Sequence, residues 1–510
     1  MKIDKPYDII IMTEGSDPIF QVARAVGGYK IASHMRNLGY SVFVLNNFSH
    51  WIKNGKMEEL LDKLIGENTL WCGFSSTLFM RRGDDVYTKR HTRDGARKNI
   101  LWRWPTQDED IKKMTDYVRA KGVKTVYGGM MNAHRAQEKE VADCIDYYVV
   151  GMGEAMAEHI TNHLKNGTHL NYNIAYGSSP KVIDFDQKGN QFDFRNSQIN
   201  YVPEDFWNPE DAMGIEFGRG CIFKCKFCAY PLIGKKKGDL SFLREKEKIK
   251  HELQQNYDLY GTTKYVIIDD TFNEQTVKLQ VIAEAIEELN LPEQLQFSAF
   301  IRIDLIVRYP EQLDYLKRIN CCAWFLGIES LNPLAAKRIG KGCNKDKIFE
   351  TIRKSKEVFN EELSVYGSFI TGLPHDNEET MDVWTKELFE NSDLFDSYSF
   401  SPLELGTASE LSEKHEEYGF YVEPDTKRWI RDDWTSVEAV EYTKKLQAEF
   451  IDDIKVATFF LMFYQCLGFE FSELRKMTFT QLFEDPAIKE RAHAYMKRSY
   501  YDKVESFLGI

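Results

Sequence analysis

Five short apolar runs separated by helix-length stretches constrain the first third of the chain most: YDIIIM (7 to 12), SVFVLN (41 to 46), LWCGFSS (70 to 76), KTVYGG (124 to 129) and YYVVGMGE (147 to 154). Runs that are apolar on both faces belong to strands covered on both sides, and the stretches between them are long enough for crossover helices. Residues 1–165 are therefore expected to form a doubly wound parallel sheet. A second alternation follows: GIEFGR (214 to 219), KYVIIDD (264 to 270), LQFSAFIR (295 to 302), CAWFLGIES (322 to 330), SVYGSFITGL (364 to 373) and DSYSFSPLEL (396 to 405). These six strand candidates predict a barrel or partial barrel over 206–425. Between the two series, residues 166–205 are polar and turn-rich, which suits a linker or a small hairpin. After about 425 strand signals stop. Segments such as SVEAVEYTKKLQAEFIDDIKVATFFLMFYQCLG space their apolar residues helically, predicting a helical region over 426–510. A 510-residue chain is too long for one core, which agrees with this division.

The start, MKIDKPYDIIIM, has no basic stretch followed by a long apolar one and a small-residue cleavage site, so a secretory signal is not expected. The longest apolar run, VATFFLMFYQCLGF (456 to 469), is too short for a bilayer and is broken by Gln465 and Gly468; it reads as a buried core helix. The expected location is the cytoplasm, where nine cysteines do not make a disulfide framework and clustered thiols suggest metal. A net charge of -13 disfavours a generally basic nucleic-acid surface, without excluding a local one.

In doubly wound sheets, ligands sit beyond the C-terminal strand ends. Here those ends carry Ser75 and Ser76, Gly128 and Gly129, then Gly151, Gly153 and Glu154, which suits a planar or phosphate-bearing cofactor. Tight turns alone would also use glycines there. The stretch 81–105 interleaves Tyr87, His91, Trp102 and Trp104 with basic residues, as an anion or single-stranded nucleic-acid contact does, or as a solvated loop packed by its tryptophans does.

The sharpest signal is GRGCIFKCKFCAY (218 to 230), which sets Cys221, Cys225 and Cys228 on one loop after the first strand of the second series. Three thiolates can hold three corners of a cubane cluster, whereas a structural zinc site wants four ligands and the spacing offers no second C-x2-C. With Phe227 as its aromatic, C-x3-C-x-aromatic-C resembles the signature of the radical S-adenosylmethionine (SAM) enzymes. The resemblance implies a [4Fe-4S] cluster on these three cysteines, with the fourth iron left for SAM. It also implies companions: Asp269, Asp270 and Thr271 facing the SAM amino group, Arg302 contacting SAM, Glu329 and Lys341 as polar and basic contacts, and Ser368 and Gly372 bordering adenine. Read as residues alone, these are equally an N-cap pair, a surface ion pair and a solvated strand end. Asp269-Asp270 replaces the Gly-Gly usual in that family.

The N-terminal segments GGYKIASHMRNLGYSVFVLN, GFSS, VYGGMMNAH and DYYVVGMGEA resemble the cobalamin-binding domain that precedes the radical SAM barrel in one large subfamily. The expected architecture is thus a Rossmann-like domain, a partial (β/α)6 barrel and a helical C-terminal region. The Asp-x-His-x-x-Gly motif that supplies an imidazole to cobalt in many cobalamin proteins is absent, and His34 reads as structural. The resemblance implies radical cleavage of SAM with an external flavodoxin- or ferredoxin-like electron donor, no membrane, and a substrate the sequence does not identify. Cobalamin-dependent methyl transfer to an unactivated carbon leads. A cobalamin-independent oxidation, rearrangement or cyclisation, and a non-catalytic metal-binding protein, stay open. The C-terminal helices are expected to act as a lid that excludes water.

Overall fold

The computed structural model describes residues 6–14, 22–75, 109–129, 144–170, 174–175, 181–184, 192–228, 235–342, 344–405, 409–424, 428–450, 462–478, 481–482 and 485–510. Ser76, Cys343 and the stretch 81–105 lie outside them.

The first sheet contains β1 (Ile9–Met12), β2 (Val42–Leu45), β3 (Trp71–Ser75), β4 (Lys124–Gly128), β5 (Tyr147–Val150), β6 (Ile174–Ala175) and β7 (Lys181–Asp184). Their order is β2-β1-β3-β4-β5-β7-β6, and every pairing is parallel except β6 with β7. Successive strand residues face opposite sides. Accordingly Ile9 and Ile11 join the core that holds Tyr29, Met35 and Ile160 of helices Val26–Asn37 and Gly153–Asn166. Ile10 and Met12 join Leu60, Leu64 and Val118 of helices Met57–Leu64 and Glu109–Ala120. Inside the expected connector, β6 pairs antiparallel with β7, and β7 extends this sheet by pairing with β5.

The second sheet is wholly parallel and runs in chain order: β8 (Ala212–Ile215), β9 (Lys264–Ile267), β10 (Gln296–Ile301), β11 (Cys321–Glu329), β12 (Ser364–Thr371) and β13 (Ser397–Pro402). Edge strands β8 and β13 do not pair with each other, so it is the partial barrel the alternation predicts. Met213, Ile215, Tyr265, Ile267, Trp324 and Leu326 share a core with the covering helices, among them Lys246–Tyr260, Thr276–Glu287 and Lys345–Val358.

The domains meet where helix Val26–Asn37 reaches β8. A side chain at Gly214 would collide with Val26, so glycine permits this approach. Arg24 is clamped between the Trp207 and Tyr500 rings, 4.4 and 4.7 Å from their centroids, and donates to the Asp205 and Phe206 carbonyls.

Two expectations for the C-terminal region change. Strand structure continues past 425, since β15 (Trp429–Ile430) pairs antiparallel with β14 (Tyr421–Val422). The helices Pro486–Met496 and Asp502–Leu508 also do not cover the cysteine loop. The Tyr500 hydroxyl is hydrogen-bonded to Asn46 N at 2.8 Å beyond β2, and Phe507 stacks on Phe43. Tyr495 donates to Asp211, which precedes β8, whereas the cysteine loop follows it. Met462, Tyr464 and Cys466 are buried beside them, as the core-helix reading of that apolar run requires. No helix among the described residues is long and apolar enough to cross a membrane.

Candidate active site at the strand ends of the second sheet

β8 runs into Glu216, Phe217 and Gly218, and the chain then turns through Gly220, at φ +73°, into the cysteine loop. Cys221, Cys225 and Cys228 are all partly exposed and in no disulfide. Cys228 N donates to Cys225 O at 3.0 Å, closing the turn between the last two thiols. Among the described residues no group of three His, Cys, Asp or Glu side chains is gathered tightly enough for a single metal ion. A cubane asks for something wider, because each thiolate takes a different iron. Three thiols on one loop, none in a disulfide, supply that donor set.

The loop is pinned from outside. Lys226 N donates to Ile339 O, and Gly340, at φ +78°, lies so close that a β-carbon there would sit 3.4 Å from Lys224 O. The segment Ser409–Tyr418, for which the sequence gave no signal, packs on the loop: Leu411 N donates to Lys226 O, and Lys226 pairs with Glu410 at 2.5 Å.

β9 delivers Asp269, Asp270 and Thr271 to the same end. Asp269 is 1% exposed and fully engaged: its oxygens accept Phe217 N and Gly218 N, each at 2.8 Å, and Lys278 Nζ lies 2.6 Å away. This corrects the expectation that it faces a cofactor; it holds the start of the loop. Asp270 makes no hydrogen bond to any described side chain or backbone group, and burial, then Glu216 and Asp269, push its carboxyl up to about 7. The Thr271 hydroxyl is 3.3 Å from Cys221 Sγ. Burial raises the Cys221 thiol, against the hydrogen bonds from Thr271 and Phe223 N. Two further residues, not singled out in the sequence, complete this wall: Glu274 receives Ile222 N and pairs with the buried Lys235, and Asn273 brackets the Arg302 backbone.

Arg302, at the end of β10, turns toward sulfur: Nη1 is 3.2 Å from Cys225 Sγ. At the end of β11, Glu329 takes φ +71°, uncommon without glycine, and pairs with Lys341 at 2.9 Å. Lys341 also donates to Gly327 O and lies 5.9 Å from the Phe227 ring centroid, so this pair abuts the cysteine loop. Ser368 stands opposite Gly327 in the β11–β12 register. Gly372, at φ +95°, faces Trp429 so closely that a β-carbon would clash.

The residues expected at the first sheet gather at adjacent strand ends. Ser75 is in register with Gly128, and Gly128 with Val149. Gly129 and Gly151 adopt φ +145° and +92°, open to glycine. Gly153 lies against Ile31, which a β-carbon would strike. Glu154 departs from the expected role: it is 4% exposed and grips Arg219 of the cysteine stretch through bonds of 2.7 and 3.2 Å. Arg219 also bonds Glu216, which pairs with Lys30, making a four-residue charge network between the domains. Burial opposes ionisation of Glu216, but Arg219 and Lys30 outweigh it and hold the carboxyl down at about 2. His34 sits 3.2 Å from Glu158 and edge-on to Phe192, as a structural residue does.

Residues 215–387, from β8 to the helix after β12, match the model of the Radical SAM superfamily. The matched span holds the cysteine loop and strands β9 to β12 of the second sheet. Among curated relatives, an uncharacterised methyltransferase of Pyrococcus horikoshii is 26% identical over 48% of this chain and 52% of its own length. A hopanoid C-2 methylase of Rhodopseudomonas palustris is 27% identical over 32% of this chain and 31% of its own. The chain thus spans about half or less of these relatives. The fold of both domains recurs in OxsB, a cobalamin-dependent SAM radical enzyme solved with aqua-cobalamin and SAM (TM-score 0.60, 12% identity, 98% of this chain and 78% of that one). It recurs in the methyltransferase TsrM from Kitasatospora setae, solved with cobalamin and a [4Fe-4S] cluster (TM-score 0.57, 15% identity, 82% and 76%).

Proposed function

We propose that this chain is a radical SAM enzyme that transfers a methyl group to an unactivated carbon with the help of cobalamin. The observation that carries the first half is the meeting of three thiols in no disulfide with a largely buried carboxyl, Asp270, that no described group hydrogen-bonds, at the ends of two neighbouring strands. In this reading Cys221, Cys225 and Cys228 anchor a [4Fe-4S] cluster, and Asp270 receives the SAM amino group in place of Asp269. Glu329, Lys341 and Ser368 line the wall beyond Phe227, and Gly372 lets the β12 turn come close. Once reduced by a flavodoxin- or ferredoxin-like donor in the cytoplasm, the cluster supplies the electron that breaks a carbon-sulfur bond of SAM.

The second half rests on the first sheet. Small residues at the adjacent ends of β3, β4 and β5, Ser75, Gly128, Gly129 and Gly151, leave space for a flat corrin without offering a histidine to cobalt. The relatives named as methylases and the cobalamin-bound structures of the same fold support this reading. The chain's own contribution is to align the two cofactor sites, through the Glu154–Arg219–Glu216–Lys30 network that joins their loops.

Anaerobic reconstitution with iron and sulfide, followed by cobalamin, SAM and reductant, tests both halves. Bound cobalamin with S-adenosylhomocysteine on turnover supports methyl transfer. Deoxyadenosine without cobalamin binding would replace it by a cobalamin-independent radical reaction, and no cluster or SAM cleavage would sink the whole reading. Cys225→Ala is expected to abolish cluster assembly, read as iron and sulfide content, and with it reductive SAM cleavage.

A further inference from the structure

Arg302 does not point out of the strand end as a solvated residue does, and it does not hang free for a ligand. It is 7% exposed, and each part of its side chain is fixed. Nε and Nη2 fork onto Asp304, at 3.0 and 2.7 Å. The guanidinium carbon lies 4.0 Å from the ring centroid of Phe223, which sits between Cys221 and Cys225 in the loop. Its backbone is held on both sides by Asn273, whose Oδ1 accepts Arg302 N at 2.8 Å and whose Nδ2 donates to Arg302 O at 3.0 Å. Asn273 is fully buried and is itself fixed by Gln312. The product of all these constraints is one aimed donor, Nη1, 3.2 Å from Cys225 Sγ.

An arginine so immobilised brings a permanent positive charge and a hydrogen bond to a sulfur. Resting on the reading that the three cysteines hold a [4Fe-4S] cluster, we propose that Arg302 is a sulfur-directed positioning residue that sets the reduction potential of that cluster, rather than a ligand of SAM. Reduction adds one electron to the cluster and makes its thiolate sulfurs more negative. A cation and a hydrogen bond at Cys225 therefore stabilise the reduced form more than the oxidised form and raise the potential. The arrangement eases the delivery of an electron from a protein donor.

The test is a redox titration of the reconstituted holoprotein, followed by the electron paramagnetic resonance signal of the reduced cluster, with SAM affinity measured separately by equilibrium dialysis. Arg302→Gln is expected to move the midpoint to a more negative potential while SAM affinity stays at the wild-type level. Arg302→Lys, which keeps the charge but not the fork, should move it less in the same direction. Arg302→Lys also serves if Arg302→Gln assembles no cluster. Wild-type midpoints in Arg302→Gln, or in Arg302→Lys where that variant stands in, overturn the inference, as does a fall in SAM affinity at unchanged potential. A wild-type chain that assembles no cluster overturns the underlying reading instead, so the two failures are distinguishable.

Discussion

The two sheets present the same kind of edge, a row of C-terminal strand ends, and use it in opposite ways. At the second sheet the ends of β8, β9 and β10 carry Asp269, Asp270, Thr271 and Arg302, and the cysteine loop is tied to three of these or to their neighbours. At the first sheet the ends of β3, β4 and β5 carry Ser75, Gly128, Gly129 and Gly151, and the charged Glu154 beside them is spent on Arg219 across the domain boundary. A densely bonded edge holds a loop in one geometry, which a cluster that must meet SAM requires. In the proposed reading, the edge of small residues leaves space for a cofactor recognised by shape. In this fold rigidity and room are divided between domains.

The comparison breaks first at Asp269. Replacing it by alanine removes the acceptor of two backbone N–H groups and leaves the buried Lys278 with the Thr271 carbonyl and the more distant Glu274 carboxylate, at 3.2 and 3.7 Å. Breaking a buried pair in this way costs about 3–5 kcal/mol. Ser75→Ala, at the matching end of β3, should stay within about 0.5 kcal/mol. Urea unfolding of both variants reads the contrast directly, and similar losses in the two would erase the distinction between the edges.

How far this was legible in the sequence follows from what each signal depends on. The strands were readable because apolar runs and their spacing are local, and the cysteine loop because its three ligands fall within eight residues. Asp269 and Asp270 were readable as a pair but not individually. Adjacent residues at a strand end turn to opposite sides, and only the fold shows that the first meets Lys278 at 2.6 Å and the second is hydrogen-bonded by no described group. Asn273, Glu274 and Glu410 were missed for the same reason, since their partners lie 29, 39 and 184 positions away. Likewise nothing local in the C-terminal helices says that Tyr500 will meet Asn46, 454 positions earlier.

The pH dependence of stability sharpens the contrast between the two aspartates. Asp270 rises from its ordinary 3.8 to about 7 in the folded chain because burial and the nearby Glu216 and Asp269 carboxylates outweigh Lys278. Between those values the folded state holds a proton that the unfolded state has lost, so the contribution of this residue to stability falls as pH rises through that window. Asp270→Asn removes the effect. The stability of the variant relative to wild type should therefore improve between about pH 5 and about pH 8, measured by denaturant midpoints, and a constant difference would mean that the carboxyl has found a partner.

The smallest effect tests the seam between the edges. Glu154 accepts two guanidinium bonds from Arg219, while Arg219 keeps two more to Glu216. Glu154→Gln retains one acceptor oxygen and leaves the guanidinium paired, so the expected loss is about 1–3 kcal/mol, below that of Asp269→Ala. If Glu154 served a cofactor at the first sheet, the same substitution would weaken cobalamin retention and leave unfolding unchanged. If it serves Arg219, unfolding shifts, and the cysteine stretch to which Arg219 belongs loses part of its tie to the first domain. Glu154→Gln thus decides whether the charge at the end of β5 belongs to the open edge or to the rigid one, and the fork onto Arg219 assigns it to the rigid one.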